Sequence, residues 1–345
     1  MSIHPHRRRV VVTQRFFDQA TCDFLTAHHC EPVVAEPPPG KGDGDLSEAV
    51  LRELLADAEG WIVGHAHVTD SLLLALPRLK VVARRGVGYE RVDVEAVHRR
   101  GKVATIAIGG NDACVADHAL ALMLAVSHRL REGQIRLDAG DWSIPMGTDL
   151  YRKTVGIVGL GRIGRGVVQR LRGFEADVLV CTPTPDEAYC RANGVRQVDI
   201  DTLLRESDVV SLHAPLTPET RFMVDASAIE KMKPSAIVIN TARGGLVNDR
   251  DLLAALEAGR LQGAGLDVFV SESDPAYHGV SRALIALPQV VATPHAGAST
   301  REGLDRTNLI AARSVVDVLD GATPPAACVI ADGRTVSHSS KKGET

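Results

Sequence analysis

Residues 154–166 read TVGIVGLGRIGRG, which sets Gly159, Gly161 and Gly164 in a Gly-x-Gly-x-x-Gly directly after an apolar run and at the start of a helical pattern. In that setting Gly159 permits a tight turn, Gly161 lets backbone approach a pyrophosphate and Gly164 allows close helix packing. The helix that follows offers its unpaired N–H groups to phosphates. Taken alone, the motif is also an ordinary glycine-rich turn. Its surroundings decide the matter. Apolar, β-branched runs at 155–158, 178–181, 209–212, 237–239, 265–268 and 290–292 alternate with helical patterns, which predicts a complete parallel dinucleotide-binding sheet.

Upstream, a second series with strand candidates at 10–13, 61–64, 81–84 and 103–106 predicts a smaller open α/β domain. A helix is expected near 46–58, and EPPPGKGDGD at 36–45 is a surface loop, because three prolines cannot donate ladder hydrogen bonds. Residues 114–130 carry apolar side chains at helical spacing and would bridge the two series. A last helix over about 301–319 stops before Gly321, with Pro324 and Pro325 beyond, and packs back on the first domain. The expected division is 1–108 with 297–333 as a discontinuous substrate-binding domain, 109–296 as a Rossmann domain and 334–345 as a disordered tail. The fold class is thus α/β, with two Rossmann-like or flavodoxin-like lobes, parallel sheets and an active-site cleft between them.

Composition fits that picture. In 345 residues, 45% are apolar and 24% charged, as in a packed globular protein. The 39 basic residues against 43 acidic ones leave no cationic excess for nucleic acid. The longest apolar run, ALALMLAV at 119–126, is too short to span a bilayer, and the N-terminus lacks a signal-peptide core. Six scattered cysteines without a Cys-x-x-Cys pair suit a reducing, cytoplasmic setting better than a disulfide framework or zinc site. The partners to expect are small molecules.

Oxidising a secondary alcohol requires a base for the hydroxyl proton while hydride leaves the carbon, and histidine suits that near neutral pH. His295 follows the last predicted strand, in TPHAGAST. Glu272, in GLDVFVSES, is a carboxylate able to orient it, and Arg243, in NTARGGLVN, can hold a carboxylate bidentately and polarise a carbonyl. Singly, these residues read as a capping histidine, a solvated acid and a surface ion pair. Jointly, with Asp267, they sit at the carboxyl ends of parallel strands, where open α/β sheets bind ligands. The Gly86-Val87-Gly88 turn lacks a third glycine, since Arg91 stands in its place; it is either a plain turn or a set of amides for a substrate carboxylate. The remaining histidines, His118 among them, form no metal-ligand set and are read as structural, and no metal is expected.

The second strand of the dinucleotide unit usually ends in an acid that binds the adenosine ribose. Thr182 stands there; the next carboxylate is Asp186, and no Arg or Lys follows directly. Cofactor choice between NAD and NADP is therefore open.

Together GVGYERVDVEA, VADHALALML, AGDW, GIVGLGRIG, SLHAPLTPET, NTARGGLVN, GAGLDVF and TPHAGAST resemble the blocks of the D-isomer-specific 2-hydroxyacid dehydrogenases, over roughly residues 10–325. That resemblance implies an NAD(P)-dependent oxidoreductase acting on a small D-2-hydroxyacid or its 2-oxoacid. It makes His295 the acid/base, Glu272 its tuner and Arg243 the ligand of the substrate carboxylate and carbonyl. It also implies cofactor contacts from Gly159, Gly161, Arg162, Ile163, Gly164, Thr182, His213, Pro215, Thr220, Thr241, Asp267 and Gly297, substrate amides at Val87 and Gly88, and a homodimer formed through the second lobe, which the apolar 114–130 helix would permit. Thr182 in place of the usual Asp and Ser273 in place of a common Pro are departures. Two rivals are formate or phosphite oxidation on the same scaffold, and a dinucleotide-sensing scaffold similar to the C-terminal-binding corepressors. Glu272 speaks against formate, whose enzymes pair the histidine with Gln.

Overall fold

The computed structural model describes residues 7–334. Of the tail expected at 334–345, the part beyond Arg334 lies outside the described residues. The chain divides into two compact units: one runs up to Asn111 and resumes at Thr300, and the other is Asp112–Ser299.

The first unit holds β1 (Arg8–Val12), β2 (Cys30–Val34), β3 (Gly60–Val63), β4 (Val81–Arg84), β5 (Val103–Ile106) and β13 (Val329–Asp332; β6–β12 belong to the second unit) in the order β13-β5-β4-β3-β1-β2. All neighbours run parallel except β13, which pairs antiparallel with β5. β3 and β5 are buried along their whole length, as strands covered on both faces must be. The helix Arg301–Leu319 covers one face, packing Ala311, Ala312 and Val315 on Val10, Ile62, Val81 and Val103. Its start is set by Thr300, whose hydroxyl accepts from Gly303 N–H at 3.0 Å, and it ends before Gly321 at φ 79°. Gly60 makes its close approach possible, because a Cβ there would lie 2.7 Å from Val315 Cγ1.

The second unit contains β6 (Thr154–Val158), β7 (Asp177–Cys181), β8 (Arg196–Gln197), β9 (Val209–Leu212), β10 (Ile237–Asn240), β11 (Gly263–Leu266) and β12 (Val290–Ala292). Its all-parallel order β12-β11-β10-β9-β6-β7-β8 reverses direction between β6 and β9, the switch point at which such sheets bind ligands. The helix Arg162–Leu171 follows β6, and the helix Asp112–Ser127 lies on β10 and β11 beside it.

Three expectations need correction. The sequence reading missed β2, β8 and β13, and Arg334, read as the start of a disordered tail, instead lies in the turn that ends β13, where Gly333 N–H donates to Lys102 O at 2.9 Å. The bridging helix ends at Ser127, and after Arg129 in the left-handed region (φ 53°) a separate helix, Leu130–Asp138, departs at 57°. The apolar face of the Asp112–Ser127 helix is spent inside its own unit, with Ala119, Leu122, Met123 and Val126 buried against Ile157, Val209, Ile237 and Ile239. It is therefore not available to a second copy. Among the described residues no single helix is long and apolar enough to cross a membrane.

Small residues let this helix sit directly on the sheet. A Cβ at Gly265 would lie 2.8 Å from both Leu122 Cβ and Ile239 Cδ1. Leu122 Cβ is fixed to the helix backbone and cannot swing away. We expect Gly265→Ala to lower the unfolding free energy by about 1–3 kcal/mol through overpacking, read as a lower denaturant midpoint at unchanged slope. An unshifted midpoint would show that the helix yields freely.

Candidate active site

At the end of β6, Gly159 turns at φ 96°, and a Cβ on it would lie 2.7 Å from His213 O, beyond the neighbouring β9. Only glycine meets both conditions. Gly164 is as constrained, because its Cβ would fall 2.2 Å from Gly159 O. Gly161 occupies the N-cap of the Arg162–Leu171 helix with no side-chain hydrogen bond, and nothing lies within 4 Å of the Cβ position it lacks. The first helical N–H groups, those of Arg162 and Ile163 included, are thus left for an incoming acceptor. Nearby, His213 Nδ1 and Thr241 Oγ1 are shielded from water without a hydrogen-bond partner among the described residues. Loss of solvent pushes the His213 imidazole down to about 4, so the ring is neutral and its Nε2 pairs with Ser211 Oγ at 2.8 Å. An open helix terminus beside two unsatisfied polar atoms fits a dinucleotide. Pro215 is exposed, and the Thr220 hydroxyl closes its own loop by donating to Pro215 O at 2.8 Å.

Thr182 is half-buried just past β7. Asp186 accepts from Tyr189 N–H at 3.0 Å as a helix N-cap and pairs with Arg165 at 2.6 Å. The Tyr189 amide and then Arg165 hold its carboxyl below the usual aspartate range.

Arg243, Glu272 and His295 follow three consecutive strands. Beyond β10, buried Asn240 ties the loop by donating to Arg243 O (2.8 Å) and accepting from Ala242 N–H (3.1 Å). Gly244 then crosses the chain beyond β11 so closely that a Cβ would lie 2.2 Å from Phe269 O. This crossing brings the segment carrying Arg243 onto the segment carrying Glu272. The Arg243 guanidinium donates through Nη1 to Ala242 O at 2.7 Å.

Glu272 faces two ways. Its Oε1 accepts from Phe269 N–H at 2.8 Å, and its Oε2 lies 2.7 Å from His295 Nδ1. Burial would raise this carboxyl, but the hydrogen bond and charge of His295 outweigh it and hold Glu272 below the usual range. An ionised carboxylate can only accept, so the proton of this hydrogen bond sits on His295 Nδ1. Behind Glu272, burial pushes Asp249 up to about 6 even though it accepts from Val270 N–H at 3.0 Å.

His295 stands at φ 53° in a turn organised by Asp267. That carboxylate, 2% exposed, accepts from Thr293 Oγ1 (2.6 Å), Ala296 N–H (2.7 Å) and Gly297 N–H (2.9 Å). Burial would raise it, but these donors and His118 outweigh that cost and keep it ionised. His118 Nε2 lies 2.9 Å from Thr293 Oγ1. Because the single threonine proton goes to Asp267, His118 must donate here. Sequence reasoning set His118 aside as structural; only its place on the Asp112–Ser127 helix, opposite a residue 175 positions away, reveals this role.

Val87 and Gly88 belong to the other unit, in a bend past β4 where Ala107 N–H donates to Gly86 O at 2.9 Å. There Arg85 is half-buried and donates to Arg15 O at 2.6 Å and Gln14 Oε1 at 2.8 Å, which spends it on internal structure.

The family model described as D-isomer specific 2-hydroxyacid dehydrogenase, NAD binding domain, matches residues 120–297. The chain is 42% identical to D-3-phosphoglycerate dehydrogenase of Mycobacterium leprae over 291 residues, 84% of this chain and 54% of that protein. It is 38% identical to glyoxylate reductase of Thermococcus litoralis over 267 residues, 75% of this chain and 79% of that one. It spans about half the length of the phosphoglycerate dehydrogenases it matches. Among solved structures, a Thermus thermophilus protein aligns with a TM-score of 0.82 at 36% identity, over 92% of this chain and 98% of its own. D-lactate dehydrogenase from Aquifex aeolicus, complexed with NAD and lactic acid, aligns at 0.76 and 27% identity over 91% and 96%. The chain belongs to the D-isomer specific 2-hydroxyacid dehydrogenase family.

Proposed function

We propose that this protein is an NAD(P)-dependent dehydrogenase that interconverts a D-2-hydroxyacid and its 2-oxoacid. The observation that carries this reading is the 2.7 Å contact between His295 Nδ1 and Glu272 Oε2, held beside the Arg243 segment by the crossing at Gly244. Residues Gly159 to Gly164 would hold the pyrophosphate, with His213 and Thr241 near the nucleoside and Asp267 and Gly297 toward the nicotinamide. A nicotinamide dinucleotide, when bound, donates or accepts the hydride. The protein's own part is proton transfer and charge stabilisation. In the reducing direction His295 Nε2 gives its proton to the oxygen that becomes the alcohol, while Glu272 holds the ring through Nδ1. Arg243 binds the substrate carboxylate and offsets negative charge on the carbonyl oxygen. The amides at Val87 and Gly88 would serve an acid group of the substrate in the unit where they lie. Formate oxidation is disfavoured because Glu272, not Gln, faces the histidine.

A homodimer is part of the same proposal. The segment after the Leu130–Asp138 helix exposes Trp142 at 84%, Ile144 at 86% and Met146 at 81%, an apolar arm that asks for cover. Leu130, Ile135 and Leu137 add to it. A second copy, also presenting this arm, is the cover we assign.

The first test is NADH oxidation with glyoxylate, hydroxypyruvate and pyruvate. Turnover of at least one is expected; NADH binding with no turnover of any 2-oxoacid would favour the sensing scaffold. His295→Ala should cut turnover about 10²- to 10⁴-fold with little loss of NADH binding, since a positioned proton donor contributes that much. Normal turnover would remove His295 from the mechanism. Arg243→Lys should also be severe, because an ammonium lacks the two-point fork; an effect confined to cofactor affinity would overturn that role. By light scattering we expect twice the monomer mass, and a Trp142→Asp, Ile144→Asp double variant should be monomeric. A dimer that survives both changes lies elsewhere.

A further inference from the structure

Past β7 the chain runs Thr182-Pro183-Thr184-Pro185 to Asp186, which caps the short helix Glu187–Asn193. In a dinucleotide fold this strand end faces the adenosine ribose. No acid projects from the strand end itself. What reaches the loop instead is Arg165, the residue directly after Gly164, on the first turn of the Arg162–Leu171 helix. Three contacts position its guanidinium. Nη2 lies 2.6 Å from Asp186 Oδ2, Nε donates to Leu160 O at 3.2 Å, and the group lies 4.3 Å over the Tyr189 ring. The side chain nevertheless remains 40% exposed.

A guanidinium held in one orientation, open to solvent and beside the ribose end of a nucleotide loop, is a ready receptor for a phosphate oxyanion. Asp186 already gives it a carboxylate, so an incoming phosphate must displace or share that partner. We propose that Arg165 is the residue that reads the 2′ position of the adenosine ribose, and that Asp186 is its built-in competitor. This rests on the dinucleotide reading above and sharpens it. The 2′-phosphate of NADPH gains Arg165 but meets the charge of Asp186; the bare hydroxyl of NADH leaves the ion pair undisturbed and gains a nearby acceptor. The two effects oppose one another, so the pair sets the cofactor ratio and either member alone would tilt it.

The test measures the dissociation constants of NADH and NADPH by nucleotide fluorescence, on the unaltered protein and two variants. Asp186→Asn keeps an N-cap acceptor for Tyr189 N–H, so the helix start is preserved. It should lower the ratio of the NADPH to the NADH constant about 10-fold, the size of effect expected for one charge-assisted contact. Arg165→Ala should raise the same ratio about 10-fold. Circular dichroism checks that both variants fold. If the ratio stays within about twofold in both, the 2′ position is read elsewhere and the inference is overturned, while the dinucleotide reading stands. If the unaltered protein binds neither nucleotide, that reading is overturned as well.

Discussion

A carboxylate that is almost wholly buried must be surrounded by donors, and much of the site follows from how Asp267 meets that demand. Its oxygens draw in a threonine hydroxyl and two consecutive backbone amides from the turn after β12. A chain bent tightly enough to aim both amides at one carboxylate has little freedom left, and His295 takes the left-handed conformation within it. That conformation is uncommon outside glycine, although histidine adopts it more readily than most residues, and it is maintained here by the surrounding hydrogen bonds. The same contacts point the ring at Glu272. The placement of the ring thus rests on the turn that Asp267 organises.

The strand order supplies the rest. β10, β11 and β12 are adjacent and parallel, so their carboxyl ends lie side by side, and Arg243, Glu272 and His295 fall on three neighbouring loops although 52 positions separate the first from the last (295 − 243). Two glycines at these ends act by what they leave out. Gly244 admits the passing backbone of Phe269, and Gly159 admits that of His213. The loops cross at close range there, and the side chains of Asn240, Asp249 and Glu272 tie them further.

What was readable from sequence divides along physical lines. The central strands of both sheets are continuous apolar runs because both faces are covered, and nearly all were recognisable. The missed ones are edge strands, where that pressure fades: β2 carries Pro32, β8 has two residues, and β13 is antiparallel and follows a loop. Arg243, Glu272 and His295 stand out as candidates in the sequence because the proposed chemistry calls for those residue types at strand ends. His118 was not, since a histidine on an apolar helix carries no local sign of the threonine it will meet. The exposed arm at 142–146 is masked in the sequence for the opposite reason: the helix before it is more apolar, yet its hydrophobic face is used up inside its own unit.

The first unit's sheet is assembled from both ends of the chain, and this imposes an order on its birth. β5 is complete at Ile106, but its antiparallel neighbour begins only at Val329. At synthesis rates of about 5–20 residues per second, the intervening stretch takes on the order of 10 to 45 seconds to emerge. Throughout that interval one edge of the nascent sheet has no partner, and until the Arg301–Leu319 helix emerges the face it will cover stands bare. The second unit, being continuous, has all its strands available before the first can close. During translation the residues of β1 to β5 thus wait longest for their native neighbours, with an unpaired strand edge exposed meanwhile.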